Sequence, residues 1–315
     1  MPSRRKLLGT SILATGALIM LLPQAKVPVQ AQAESRVVRI QTMNVYDTLY
    51  LLRGGSTSLA MMRDDGVVLV DSQPEGWTDP LRKALESVTD QPVQTIINTH
   101  AHRDHVGGNV AIAPKSDIVA HANAQKRMAA SDEFKGTNAK FLPNKIVSDK
   151  LTLFTGVDQV DLYYFGKGHT DGDLVLFFPE KRVAHFGDLV WPKAVPVVDV
   201  ESGGSALALP DTLAKAVAQL TNVARVTTGH EEGAAGNKAP AANASTRSAR
   251  TMPWAEMQEY AEFTRDLVAA ARQALEGGKT VDQTAATLQL PARYKAYDLS
   301  NARPFVQAMA RELGK

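Results

Sequence analysis

The apolar positions of this chain fall into two patterns whose alternation predicts a layered α/β protein. Short apolar and β-branched runs come first: SRVVRIQTMN (35–44), LYLLRG (49–54) and SLAMMRDDGVVLVDSQ (58–73). In the last, Asp64-Asp65-Gly66 separates two apolar runs, the turn chemistry of a hairpin. DPLRKALESV (79–88) changes to helical spacing, with Asp79 and Pro80 as cap and first turn, and QTIINT (94–99) reads as a short buried strand. The second half resumes the strand pattern at DQVDLYYFG (158–166), DLVLFFP (173–179), RVAHFG (182–187) and ARVTTG (224–229), with a predicted helix over 211–220. Two strand-rich halves with interspersed helices predict an α/β layered sandwich rather than a doubly wound sheet.

Beyond residue 230 the pattern changes twice. Residues 233–252 are rich in Ala, Gly and Ser and predict a loop or linker. From Pro253 the spacing of Trp254, Met257, Tyr260, Leu267, Val268, Ala271 and Leu275 is helical, and Gly277-Gly278 ends the run. Further helices are predicted over 281–289 and 301–313, the latter capped by Ser300. The apolar stripe packs on the sandwich, with a dimer interface as the alternative. The chain therefore divides into 1–33, 34–250 and a C-terminal helical extension at 251–315.

Charge revises the picture at the N-terminus. Residues 1–33 carry four basic groups and no acidic one, and removing them turns a formal charge of +2 into −2, from 31 Lys+Arg against 33 Asp+Glu. MPSRRK is a basic leader, residues 7–22 are mostly apolar but short of the ~20 that a spanning helix needs, and AQA at 31–33 fits a signal-peptidase site. Arg4-Arg5 followed by Lys6-Leu7-Leu8 resembles a twin-arginine signal, which exports folded protein to the periplasm or beyond. The expectation is no stable membrane insertion after signal removal. A mature charge of −2 argues against a nucleic-acid partner. With no cysteine, the chain forms no disulfide. The expected partner is a small-molecule substrate, and the oligomeric state is left open.

The densest chemistry is NTHAHRDHVGGN (98–109), where His100, His102, Asp104 and His105 follow a predicted strand. If the loop curls there, two imidazoles face one way and the Asp-His pair the other, feeding two neighbouring metals. Three further candidates each follow a strand and a glycine: His169 in GKGHTDGD, Asp188 in HFGDLV and His230 in TTGHEEG. Strand-end loops are where a rigid scaffold can hold ligands. Five of the seven histidines are used, leaving His121 and His185. Imidazole with carboxylate suits zinc, and open coordination positions mark a catalytic site.

The ordered set HAHRDH, GHTDGD, FGD and TGH resembles the metallo-β-lactamase-fold superfamily of hydrolases over residues 45 to 230. The resemblance implies a four-layer αβ/βα sandwich and two Zn2+ ions per chain. His100, His102 and His169 would bind the first ion, Asp104, His105 and His230 the second, and Asp188 would bridge both. Asp71, in VVLVDSQ, would accept a hydrogen bond from a ligand histidine without touching metal. The absence of cysteine sets the chain apart from β-lactamases that carry one at the Asp188 position. Asp188 instead resembles glyoxalase-II-like thioesterases, lactonases and exported hydrolases. WPKAVPVVDVESGGSA (191–206) also resembles a group of exported members, and TGHEE replaces the more common Pro-Gly-His-Gly.

The expected activity is that of an exported dinuclear zinc hydrolase. A metal-bridging hydroxide would cleave an ester, thioester, lactone or amide, β-lactams included. Asp104 would position the nucleophile or handle its proton. Two alternatives stand: a redox (iron) enzyme on the same fold, and a non-catalytic periplasmic metal-binding protein. Di-iron members carry glutamate where this chain has His102, which favours zinc. Outside the ligand set, His185 reads as a packed strand histidine and His121 as a surface residue starting a helix. Lys193 reads either as a substrate-carboxylate ligand or an exposed loop lysine. Trp191, Phe134 and Phe141 read as cleft lining or core.

Overall fold

Strands and helices alternate along the described chain as the apolar pattern requires. The computed structural model describes residues 36–42, 48–112, 115–230 and 251–315. The signal expected at 1–33 and nearly all of the 233–252 loop lie outside them. β1 (Arg39–Thr42), β2 (Leu49–Arg53), β3 (Thr57–Arg63) and β4 (Gly66–Val70) form an antiparallel meander, with the predicted Asp64-Asp65 turn between the last two. After α1 (Thr78–Glu86) the pairing becomes parallel. β5 (Val93–Ile97), the short helices α2 (Arg103–Val106) and α3 (Asn109–Ile112), β6 (Asp117–His121), α4 (Ala122–Ala130) and β7 (Lys145–Val147) complete a seven-stranded sheet in sequence order.

The second sheet draws on β8 (Lys150–Leu153), β9 (Val160–Tyr163), β10 (Val175–Phe178) and β11 (Val183–His185), then, after α5 (Leu209–Gln219), on β12 (Arg225–Thr227) and β13 (Met252–Pro253). Its order is β13-β12-β11-β10-β9-β8, with only β11 and β12 paired in parallel. α6 (Trp254–Glu276), α7 (Val281–Ala286) and α8 (Ala302–Glu312) follow.

Period-two alternation explains the layers. Leu59, Met61, Val68 and Val70 join Val160, Leu162, Leu176 and Phe178 in a core between the sheets. Their neighbours Ala60, Val67 and Leu69 face the other way, onto Leu81, Leu85 and Met128 of α1 and α4. A third core joins Val175, Phe177 and Val226 of the second sheet to Leu209 and Leu213 of α5 and to Met257, Phe263, Phe305 and Met309 of the C-terminal helices. Three cores separating four layers make the expected αβ/βα sandwich with C-terminal helices on its outer face.

Details at element ends differ from the sequence expectation. Asp79 does not cap α1, which begins at Thr78; its carboxylate instead pairs with Arg82 one turn on, at 2.7 Å. Ser300 does not cap α8, since Asn301 occupies that place without a side-chain bond. Met252, assigned to the loop, and Pro253, assigned to the start of the helical run, instead pair with β12. Among the described residues no helix is long and apolar enough to cross a membrane.

Candidate metal centre

Loops after β4, β5, β11 and β12, with the β9–β10 loop, meet at one rim. After β5 the chain passes through His100 to His102, which immediately precedes α2, and that single turn carries Asp104 and His105. The backbone thus turns between the two pairs, as the loop pattern predicted. Gly108 allows this by close approach, because a Cβ there would collide with the Ser72 carbonyl. Asp71, at the end of β4, is fully buried with φ of 57°, a left-handed conformation that non-glycine residues hold only when surroundings enforce it. The enforcing contacts are to its carboxylate, which accepts from Thr99 N at 2.8 Å, from Thr99 Oγ1 at 2.7 Å and from His105 Nδ1 at 2.7 Å.

Hydrogen-bond partners assign the ring protons of the first three histidines. His169 Nδ1 donates to the Val197 carbonyl at 2.9 Å, and His102 Nε2 to Asp199 Oδ2 at 2.9 Å. The Thr99 hydroxyl gives its proton to Asp71, so it accepts from His100 Nδ1 at 3.0 Å. The remaining nitrogens all carry lone pairs and face one another. His102 Nδ1 lies 3.1 Å from His100 Nε2 and 2.9 Å from His169 Nε2. Burial, opposed by Asp188 and reinforced by neighbouring imidazoles, holds His100 well below the usual 6.5; burial also depresses His102 and His169. Three lone pairs converging without a proton between them suit a cation.

The second group is built differently. His105 Nε2 lies 3.4 Å from His230 Nε2 and 3.5 Å from Asp104 Oδ2, which is 3.1 Å from His230 Nε2. Burial disfavours charge on both rings, but Asp188 and Asp104 outweigh it, raising His105 well above 6.5 and His230 to about 9. Burial is likewise outweighed at Asp104 and Asp188, whose carboxyls the imidazoles hold well below the usual range.

Asp188 joins the two groups. Its Oδ2 lies 3.2 Å from His230 Nε2 and 3.6 Å from His169 Nε2, and its Oδ1 lies 3.4 Å from His105 Nε2. Oδ1 is buried and has no hydrogen-bond partner, a costly state for a carboxylate unless a cation completes it. A Cβ on Gly229 would collide with this oxygen, so glycine before His230 is what lets the backbone sit there. His100, His102 and His169 form one potential metal-holding group, Asp104, His105 and His230 another, and His100, His105 and Asp188 a third spanning both, each set within 4.8 Å. The donor set fits two divalent ions of borderline softness, such as zinc.

The rim opens into a cleft of about 720 Å³. Trp77 and Trp191 line it with Pro74, Val197 and Val198, and α8 supplies Pro304 and Phe305, with Asn301 just before it. Trp191 stacks on His230 at 5.0 Å between ring centres, while its indole N–H donates to the Asp188 carbonyl. Phe134 and Phe141 belong instead to the core under the first sheet. Lys193 is not a cleft group, because its ammonium pairs with Glu259 of α6 at 2.6 Å. His121 caps α4 by accepting from Asn123 N, but it is buried and stacked on Tyr164, contrary to the surface expectation. His185 is packed in its strand, bonded to Thr227.

Sequence reasoning missed Asp199 and the Val197 carbonyl. Asp-Val-Glu-Ser-Gly-Gly reads locally as a turn, and nothing in its spacing points to His102, 97 residues earlier.

Comparisons with known proteins agree with this geometry. Residues 52–230 match the family model of the metallo-beta-lactamase superfamily. A metallo-beta-lactamase type 2 from Bacillus cereus is 31% identical over 139 residues, covering 43% of this chain and 51% of that protein. The alpha subunit of a 2,4-dinitroanisole O-demethylase from Nocardioides sp. is 31% identical over 140 residues, covering 42% and 41%. The chain thus spans about half the length, or less, of these two relatives. The solved structure of a stereoselective inverting sec-alkylsulfatase from Pseudomonas sp. shares the fold at 17% identity and a TM-score of 0.65, covering 89% of this chain and 50% of that one. The His/Asp cluster fits a metal-dependent hydrolase, and the chain belongs to the metallo-beta-lactamase superfamily.

Proposed function

We propose that this protein is an exported dinuclear zinc hydrolase acting on an ester, thioester, lactone or amide. His100, His102 and His169 hold one ion, Asp104, His105 and His230 the other, and Asp188 is shared. The observation that carries the reading is the buried Asp188 carboxylate, whose two oxygens approach members of both groups while one lacks any hydrogen bond. Bound there, the ions supply Lewis acidity toward the scissile carbonyl and a nucleophile at neutral pH.

The chain's own groups do the rest. Asp104, with 38% of its side chain exposed, opens to the cleft and positions the attacking water as a hydrogen-bond acceptor. Trp77 and Trp191 receive the apolar part of the substrate and limit water at the floor. Among the described cleft residues the one lysine or arginine side chain is Arg103, and it faces Glu133 at 3.5 Å. That pairing favours a neutral ester or lactone over a substrate that needs its carboxylate gripped.

The test is hydrolysis of a panel comprising a neutral aryl ester, a lactone, a thioester and a cephalosporin. The expected result is turnover of the neutral ester or lactone, lost on chelation and restored by zinc. Absence of turnover across the panel, with zinc bound, overturns the hydrolase reading in favour of a metal-binding protein. Export is tested by fractionating cells that express the full chain; a mature form lacking about 33 residues belongs in the periplasm.

A further inference from the structure

Residues 191–206 contain no helix or regular strand, only an isolated bridge and turns, yet they reach both the candidate ligand loops and the C-terminal helices. At one end, Trp191 N donates to the Tyr260 hydroxyl at 3.2 Å and Lys193 Nζ to Glu259 Oε1 at 2.6 Å, both on α6. An isolated bridge then ties the segment to the turn before α8, through Asp298 N to the Lys193 carbonyl at 2.7 Å and Val195 N to the Asp298 carbonyl at 3.1 Å. At the other end, Glu312 of α8 accepts from both the Ser205 hydroxyl and Ala206 N, the latter at 2.7 Å.

Between these anchors the segment meets the first histidine group. The Val197 carbonyl takes the outer proton of His169 and Asp199 Oδ2 that of His102, while Asp199 N donates to the His169 carbonyl at 2.9 Å. Asp199 Oδ1 is occupied by the amides of Glu201 and Ser202, at 3.0 and 3.2 Å, which fixes the carboxylate's direction. Gly204 is seated so closely that a Cβ would collide with the His169, Asp199 and Gly168 carbonyls. His105 takes its outer partner from Asp71 instead, independently of this segment.

We propose that residues 191–206 act as a strap, held by α6 and α8, that orients His102 and His169, with Asp199 as the positioning residue. The C-terminal helices are then part of what shapes the first ion site. The proposal rests on the metal-site reading above. An imidazole held by a carboxylate on its outer nitrogen keeps its tautomer and ring direction, and losing such a partner weakens metal binding about 10–100-fold.

The experiment is a zinc titration of the metal-free full-length protein against a chromophoric chelator, in wild type, Asp199→Ala, Asp199→Asn and Glu312→Gln. Asp199→Ala is expected to weaken one of two bound ions by about 10–100-fold and to spare the other. Asp199→Asn, which keeps the acceptor oxygen and the shape, loses less, and Glu312→Gln gives a smaller loss at the same ion. A merely structural role would lower the thermal midpoint of the metal-free variants and leave both affinities unchanged; that result, or equal loss at both ions, overturns the proposal. Wild-type protein that binds no zinc overturns the metal-site reading itself.

Discussion

The two halves of the candidate centre reach the same convergence of donors by opposite electrostatics. His100, His102 and His169 are neutral rings whose charged form burial suppresses, and their outer nitrogens lean on a hydroxyl, a carboxylate and a backbone carbonyl. His105 and His230 sit among carboxylates that draw protons onto them. A cation entering the first group displaces little, whereas one entering the second must displace protons. The groups also differ in what supports them: Asp71, just after β4, holds His105 of the second directly and His100 of the first only through Thr99, whereas the strap holds His102 and His169 of the first.

The largest effect expected is from Asp188→Ala. Removing the shared carboxylate should weaken both ions and reduce hydrolysis on the order of a thousandfold or more. Zinc titration alongside kinetics checks this, and loss of only one ion would show that the carboxylate is not shared. Asp71→Asn should weaken the second ion about 10–100-fold through His105, and the first ion less, because Asp71 reaches His100 only through the Thr99 hydroxyl. Equal losses would mean that the two halves are not independently supported.

A smaller effect concerns His185, fully buried and held by burial at about 4 rather than 6.5, with Nε2 lacking a hydrogen bond. The unfolded chain takes up a proton near pH 6.5 and the folded chain only near 4. Stability from this group is therefore present above 6.5 and lost as pH falls through that window, by about 3 kcal/mol in all. Denaturant unfolding between pH 7 and 4 should show a shallower decline in His185→Gln than in wild type. An identical decline in both would remove His185 from the account.

The smallest effect is from Lys193→Ala. Its ammonium pairs with Glu259 at a partly exposed site, so stability should fall by no more than about 1 kcal/mol. Comparing KM for a carboxylated and a neutral substrate should show no selective change. A selective rise for the carboxylated one would restore Lys193 to the cleft.

The layered fold was legible because Leu59, Met61, Val68 and Val70 alternate with Ala60, Val67 and Leu69, and both sets are buried. The clustering of candidate residues was legible because histidine is rare in this chain and each candidate stands at a strand end, three of them behind a glycine. β6, β7 and β8 were missed, being short and each opening on a charged residue, Asp117, Lys145 and Lys150. Helix caps were misplaced because a cap depends on the local path of the backbone, not only on residue type. Asp199 could not be found from sequence, since its role depends on a contact across 97 residues and on anchors at Asp298 and Glu312.

The most direct test of the central claim is hydrolysis of a neutral aryl ester by metal-free protein as zinc is added in known equivalents. Activity should climb until two ions per chain are bound and then stay level. A plateau at one ion, or no activity with two bound, would contradict that claim.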